Sequence, residues 1–223
     1  MTKRVADELD SFKYNGEPVR FTIGTLALMC FSIILIVVST FTQVPIVDLF
    51  ALNKGEMGSG ILLSDYLTNS AYYAYIPQLP AIFFVVALLD RRYGIAAIIM
   101  YILMGLFLYP VFGMGGGINY ILEYGFGYIL AYIPAAFITA TIIKNNYKFF
   151  NVLKAVILGV LAIHLIGLMY MVFISTLSQT SMDMVTGWIT AQSGIKIFYD
   201  TFFSLCTIYL ANFMKKGLWL IMC

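Results

Sequence analysis

Long apolar runs separated by short polar breaks fill the chain from Phe21 onward. A helix that crosses a bilayer needs about 20 mainly apolar residues. Six stretches meet or approach that length: 21–41, 76–89, 94–112, 124–143, 152–177 and 195–214. The second is short and is opened by Pro77 and Pro80. Each run is apolar on every side, so helical periodicity does not say which face looks inward. The pattern predicts an all-α integral membrane protein of six transmembrane helices. The domain expected is 21–216, preceded by a polar segment at 1–20 and followed by a tail at 217–223.

Charge adds orientation. Lysine and arginine collect on the cytoplasmic side of membrane proteins. Eleven of the thirteen lie before the first run, between the second and third, between the fourth and fifth, or after the sixth; only Lys54 and Lys196 lie on the other side. Both termini are therefore expected in the cytoplasm, with outer loops at 42–75, 113–123 and 178–194. The first run is too long for a signal-peptide core and lacks a small-residue cleavage site. The chain is 61% hydrophobic and 11% charged, against roughly a quarter charged in an average soluble domain. No large soluble domain fits in what remains. A net charge of +2, carried at membrane edges, gives no sign of a nucleic-acid partner.

Candidate chemistry gathers on the outer side. Gly115, Gly116 and Gly117 lie in the second outer loop, where glycine serves unusual backbone conformations. They do not form a nucleotide loop: the third glycine of G-x-G-x-x-G would fall on Ile118, and no GxxxxGK[ST] exists. A loop folded into the outer mouth, with backbone amides turned to a ligand, is one reading; a plain turn or helix packing is the other. Gln78 and Asn119 are amides beside Tyr72, Tyr73, Tyr75, Tyr120 and Tyr124. Amides donate and accept, and aromatic walls bury flat rings.

Lys196 opens the sixth run, with Asp200 at i+4. It has three readings: a lysine reaching for headgroups, a partner of Asp200, or a cation for an anionic ligand group. His164 is the only histidine, and no HExxH or GxSxG exists, so no metal site or hydrolase can be assembled. It reads as a buried histidine bonded to a neighbouring helix. Cys30 and Cys206 read as buried apolar side chains. No cofactor is called for.

The central stretch IPQLPAIFFVVALLDRRYGIAAIIMYILMGLFLYPVFGMGGGINYILEYGFGYILAYIPAAF, residues 76–137, resembles the BioY family, the substrate-binding S components of energy-coupling-factor (ECF) biotin transporters. Gln78, Arg92, Gly94, Tyr101, Gly105, the Pro110–Phe112 run, Gly115 to Gly117, Gly127, Tyr128, Pro134 and Ala135 fall at the family's offsets. TQVPI at 42–46 and HLIGLMY at 164–170 are similar to its segments after helix one and in helix five. Two departures stand out. Residues 47–75 are an insertion against compact members. The family's proline–glycine–aspartate–x–x–lysine opening of helix six reads AQSGIK here, with Lys196 in the lysine position and Ser193 in place of the aspartate. A shifted alignment would match Asp200 to that aspartate and lose the lysine. Asp183, Glu123 or an acid of the insertion is a candidate substitute.

The resemblance implies six helices around one outward-facing pocket that takes a vitamin, with biotin the first choice. Its ureido ring needs hydrogen-bond partners, its thiophane ring an aromatic and aliphatic wall, and its carboxylate a cation or amides. The residues expected at the ligand are Gln78, Gly115, Gly116, Gly117, Asn119, Tyr120, Tyr128, Ser193 and Lys196. The chain carries no ATPase motif, so the resemblance also implies an ECF transmembrane coupling subunit and two cytosolic ABC ATPases in the bacterial cytoplasmic membrane. Small residues on the first run, Gly24, Ala27 and Ser32, are the weakly indicated docking surface.

Overall fold

The computed structural model describes residues 22–47, 72–144, 146–179 and 182–222. The expected polar segment at 1–20 and most of the 47–75 insertion lie outside these residues. The chain is helical through most of each apolar run. Helix α1 is Ile23–Phe41, started by Thr22, whose side chain accepts a hydrogen bond from the Thr25 amide at 3.1 Å. Strands β1 (Val44–Val47) and β2 (Tyr72–Tyr75) follow as an antiparallel pair, with Val44 opposite Tyr75.

Helix α2, Gln78–Phe107, carries both the second and third apolar runs. It is broken at Asp90, whose backbone sits at φ 61° and ψ 179°. The break folds the two arms against each other: a Cβ on Gly94 would stand 3.0 Å from the Val86 Cα. The second and third runs are thus two helical arms packed against each other across a sharp turn at Asp90, separate as read from the sequence. The fourth run appears as α3 (Phe126–Leu130) and α4 (Tyr132–Ile143), the fifth as α5 (Phe149–Leu177), and the sixth as α7 (Lys196–Met222). Most of the expected tail continues α7.

Two elements were not legible as such. The third outer loop holds a helix, α6 (Met182–Ser193), and the second holds a 3-10 turn, Ile118–Leu122. Among the described residues, four helical stretches are long and apolar enough to cross a membrane: Ile23–Phe41, Phe126–Ile143, Phe149–Leu177 and Lys196–Gly217. This is a membrane protein.

Helix α2 is the centre of the packing, against α1, α4 and α7; α5 packs on α3, α4 and α7. The first arm of α2 is buried on every side from Leu79 to Leu89, which is why its sequence shows no polar face. Helices α1, α5 and α7 instead show large apolar side chains on their outer faces, such as Ile34, Leu165 and Phe202. That is the surface a bilayer solvates. Cys30 and Cys206 lie on exposed faces, contrary to the buried reading; on a helix surrounded by lipid, an outward apolar position is as acceptable as an inward one. Ser32 is fully buried, which takes it out of the α1 docking surface.

Candidate functional site

A lysine near the end of a membrane helix ordinarily extends toward the headgroups. Lys196 does not: it is 8% exposed, and its Nζ lies 2.7 Å from Asp200 Oδ2, one turn further along α7. Asp200 is fully buried. A buried carboxylate is very costly unless paired and hydrogen-bonded, and the fold supplies both. Tyr75, at the end of β2, donates its hydroxyl to Asp200 Oδ1 at 2.8 Å. The Tyr75 ring stacks on Phe203 at 5.3 Å and lies 5.9 Å from the Lys196 ammonium. Tyr75 thus ties the hairpin to α7.

On its other side Asp200 faces His164 of α5, with 3.6 Å between Nε2 and Oδ2. The other imidazole nitrogen, Nδ1, is 2.8 Å from Ser193 Oγ at the end of α6. Ser193 Oγ is in turn 2.8 Å from the Tyr128 hydroxyl on α3. Tyr128 crosses the His164 ring edge to face at 5.9 Å. It fits there because Gly167, on α5, has no side chain: a Cβ would stand 2.5–2.7 Å from Tyr128 ring atoms. Five elements, β2, α3, α5, α6 and α7, therefore converge on one polar chain, buried except at the half-buried Ser193: Tyr75, Asp200 with Lys196, His164, Ser193, Tyr128.

Gln78 belongs to a second polar group. Its Nε2 donates to Thr40 Oγ1 and to the Tyr101 hydroxyl, both at 2.9 Å. The direction is set by the partners. Thr40 sends its own hydroxyl hydrogen to the Ile36 carbonyl at 2.8 Å, and Tyr101 directs its hydrogen to the Val111 carbonyl at 3.5 Å. Thr40 has no hydrogen left for Gln78, so the amide presents its NH2 group on this side, and the same nitrogen donates to Tyr101. Its Oε1 makes no hydrogen bond among the described residues.

The glycine loop is tied down. Phe112 and Gly115 exchange backbone hydrogen bonds at 2.9 and 3.0 Å, and the Gly117 amide donates to the Gly105 carbonyl on α2 at 2.8 Å. The amides of Gly115 and Gly117, expected to be available to a ligand, thus serve the loop itself. Gly117 stands at φ 90° and ψ 168°, a conformation essentially confined to glycine. Phe112 is buried beneath the loop, its ring 4.7 Å from that of Tyr120. Asn119 is exposed and does not join either polar group.

Of the residues expected at a ligand, the structure brings together Tyr128, Ser193 and Lys196. Gln78 sits in its own group, Tyr120 in the aromatic cluster under the glycine loop, and Asn119 outside both. The reading of Lys196 as a partner of Asp200 holds, as does a buried His164 bonded to a neighbouring helix. What the sequence reading missed is that these are one assembly that also includes Tyr75. The signal was faint: six polar residues, scattered between positions 75 and 200, in apolar surroundings. Asp183 and Glu123, the other candidate replacements for the aspartate, are exposed; Asp200 is the carboxylate at Lys196.

A model of the BioY family matches residues 76–218, well over half of the chain. The chain belongs to the BioY family. The match takes in both arms of α2, the glycine loop and every residue of the polar chain but Tyr75. Among curated proteins, this BioY-family chain is similar to a probable biotin transporter BioY of Lysinibacillus sphaericus, 27% identical over 51% of this chain and 62% of the relative. The matched stretch is thus less than two thirds of that relative's length. Among solved structures, its fold is similar to the S-component for biotin from an ECF-type ABC transporter, determined at 2.1 Å. The TM-score is 0.60 at 20% identity, covering 88% of this chain and 95% of the other. The fold is that of an ECF S component.

Proposed function

We propose that this BioY-family chain is the biotin-binding S component of an ECF-type ABC transporter, and that it takes up biotin across the bacterial cytoplasmic membrane. The observation that carries the reading is the linked set of buried Lys196, half-buried Ser193 and buried Tyr128 in a chain of the BioY family with the fold of an ECF S component. Biotin needs donors and acceptors for its ureido ring and an aromatic or aliphatic wall for its thiophane ring. The polar chain supplies the first, and Tyr128 with its aromatic neighbours the second.

The charge distribution supports a multi-pass chain with both termini in the cytoplasm. The chain acts as a transporter subunit and not as an enzyme. Transport draws its energy from a transmembrane coupling subunit and a pair of cytosolic ABC ATPases. Gln78, Asn119 and the Gly115–Gly117 loop complete the proposed ligand contacts, with Tyr120 in the wall. The loop contributes chiefly its shape, since two of its three amides are engaged.

The test is direct. Small molecules that co-purify with the detergent-solubilised protein are identified by mass spectrometry, and titrations are run with labelled biotin, thiamine and riboflavin. Saturable binding of biotin alone supports the reading. Saturation by thiamine or riboflavin instead makes the chain an S component for that vitamin, and no saturable ligand removes the reading altogether.

A further inference from the structure

The polar chain has a direction, and the direction matters to a ligand. Lys196 already neutralises Asp200 at 2.7 Å. A second cation at His164 would be buried with no carboxylate of its own, which is prohibitively costly, so the imidazole is neutral and carries one hydrogen. The nitrogen facing the carboxylate is Nε2, 3.6 Å from Asp200 Oδ2, within reach of its charge but beyond hydrogen-bond distance, and it has no hydrogen-bond partner among the described residues. The hydrogen is most stable there, pointing at negative charge. Nδ1 is then bare and accepts from Ser193 at 2.8 Å. A serine hydroxyl has one hydrogen. With it spent on His164, Ser193 can only accept from Tyr128, at 2.8 Å. The Tyr128 hydrogen is spent in turn, and its oxygen is left with lone pairs alone.

We propose that Asp200, through His164 and Ser193, fixes the direction of a hydrogen-bond chain that ends at Tyr128, so that the Tyr128 oxygen meets the ligand as an acceptor for an N–H group. This rests on the reading of Tyr128 as a ligand contact. Asp200, His164 and Ser193 are positioning residues in this scheme. With the Gln78 NH2 group spent on Thr40 and Tyr101, so that its Oε1 is the end left to accept, the protein offers acceptors at two points and a donor at Lys196. A cyclic urea, with two N–H donors flanking one carbonyl, complements that arrangement; a ring of acceptors does not.

Because the chain contains a single histidine, the tautomer can be read without assignment. Full-length protein labelled with 15N-histidine, in detergent micelles without ligand, is expected to show a protonated Nε2 and a bare Nδ1. In Asp200→Asn the amide can present an N–H to His164, and the pattern is expected to exchange. Ser193→Ala leaves the charge pair intact and should keep the Nε2–H form, because Asp200 and not Ser193 sets it. In parallel, biotin and an analogue methylated on the ureido nitrogens are titrated. Asp200→Asn and Ser193→Ala should each weaken biotin about tenfold, the consequence of a buried polar partner left unmatched. Tyr128→Phe should bind no more weakly when combined with Ser193→Ala, and it should discriminate less between biotin and the methylated analogue. A wild-type protein with hydrogen on Nδ1, or an Asp200→Asn variant with the wild-type nitrogen pattern, overturns the relay. Additive losses in Tyr128→Phe with Ser193→Ala overturn its link to the ligand. Wild-type protein that keeps the expected tautomer but binds no biotin overturns the biotin reading while leaving the relay supported.

Discussion

Lys196 and Asp200 face each other one turn apart on α7, 2.7 Å between Nζ and Oδ2, with the aspartate fully shut from solvent. Breaking a buried pair by removing one partner costs about 3–5 kcal/mol, because the other charge is left uncompensated, whereas replacing both by apolar residues is often neutral. Lys196→Met and Asp200→Leu are each expected to lower the thermal unfolding temperature clearly. The double variant should recover much of the loss while still binding ligand poorly. Thermal unfolding in detergent, followed by tryptophan fluorescence, measures this; a double variant as unstable as the worse single one would contradict it.

Gly117 and Gly125 form a paired test of backbone against space. A Cβ would meet nothing within 4 Å at either position. Gly117 lies at φ 90° and ψ 168°, Gly125 at φ −76° and ψ −16°. Gly117→Ala therefore carries strain of about 1–3 kcal/mol, while Gly125→Ala is expected to be neutral or to stabilise by up to about 1 kcal/mol. Unfolding temperatures of the two variants should move apart, and equal values would show that the loop can relax.

Asp90 holds the same glycine-favouring region of backbone without being glycine, at φ 61° and ψ 179°. Its side chain makes a surface ion pair with Lys215. Exposed pairs contribute about 0–1 kcal/mol, less than the ~1–3 kcal/mol of strain. Asp90→Gly should raise the unfolding temperature even though the ion pair is lost. A drop would mean that the bend in α2 depends on the carboxylate.

Gln78→Glu tests the other polar group. The change keeps size but removes both N–H donors, and Thr40 has no hydrogen to offer in return. Two hydroxyl oxygens would face a carboxylate, a loss of about 1–3 kcal/mol for each unmatched group. Affinity for biotin, by titration calorimetry, is expected to fall tenfold or more in Gln78→Glu. Gln78→Met should bind better than Gln78→Glu, because a thioether adds no charge opposite those oxygens.

Gly167→Ala tests the seat of Tyr128. The added methyl would stand 2.5–2.7 Å from ring atoms of Tyr128, and overpacking of this kind costs about 1–3 kcal/mol. The ring should move off Ser193, and biotin affinity should fall with it. Unchanged affinity would show that the Tyr128 hydroxyl plays no part in binding.

Length and polarity of the apolar runs determined the helical membrane class, because a bilayer offers backbone groups no hydrogen-bond partner and so forces apolar segments to be helical. The central residues 76–137 carried the family in the same way, since close contacts such as Gly94 on Val86 and Gly105 on Phe112 admit few other residues. Tertiary structure alone decided the rest. Helix α6 sits in a stretch too polar to read as a span, and it is held by neighbours such as Tyr124, whose ring packs on Trp188 at 6.1 Å. The two arms of α2 turn back on each other with almost no loop between them because Asp90 accepts a strained backbone that local preference disfavours. The polar chain escaped the sequence for a related reason. Tyr75, Tyr128, His164, Ser193 and Asp200 lie on five different elements, and a buried polar group's role depends on which partner the fold brings to it, a relationship that spacing along the chain does not encode.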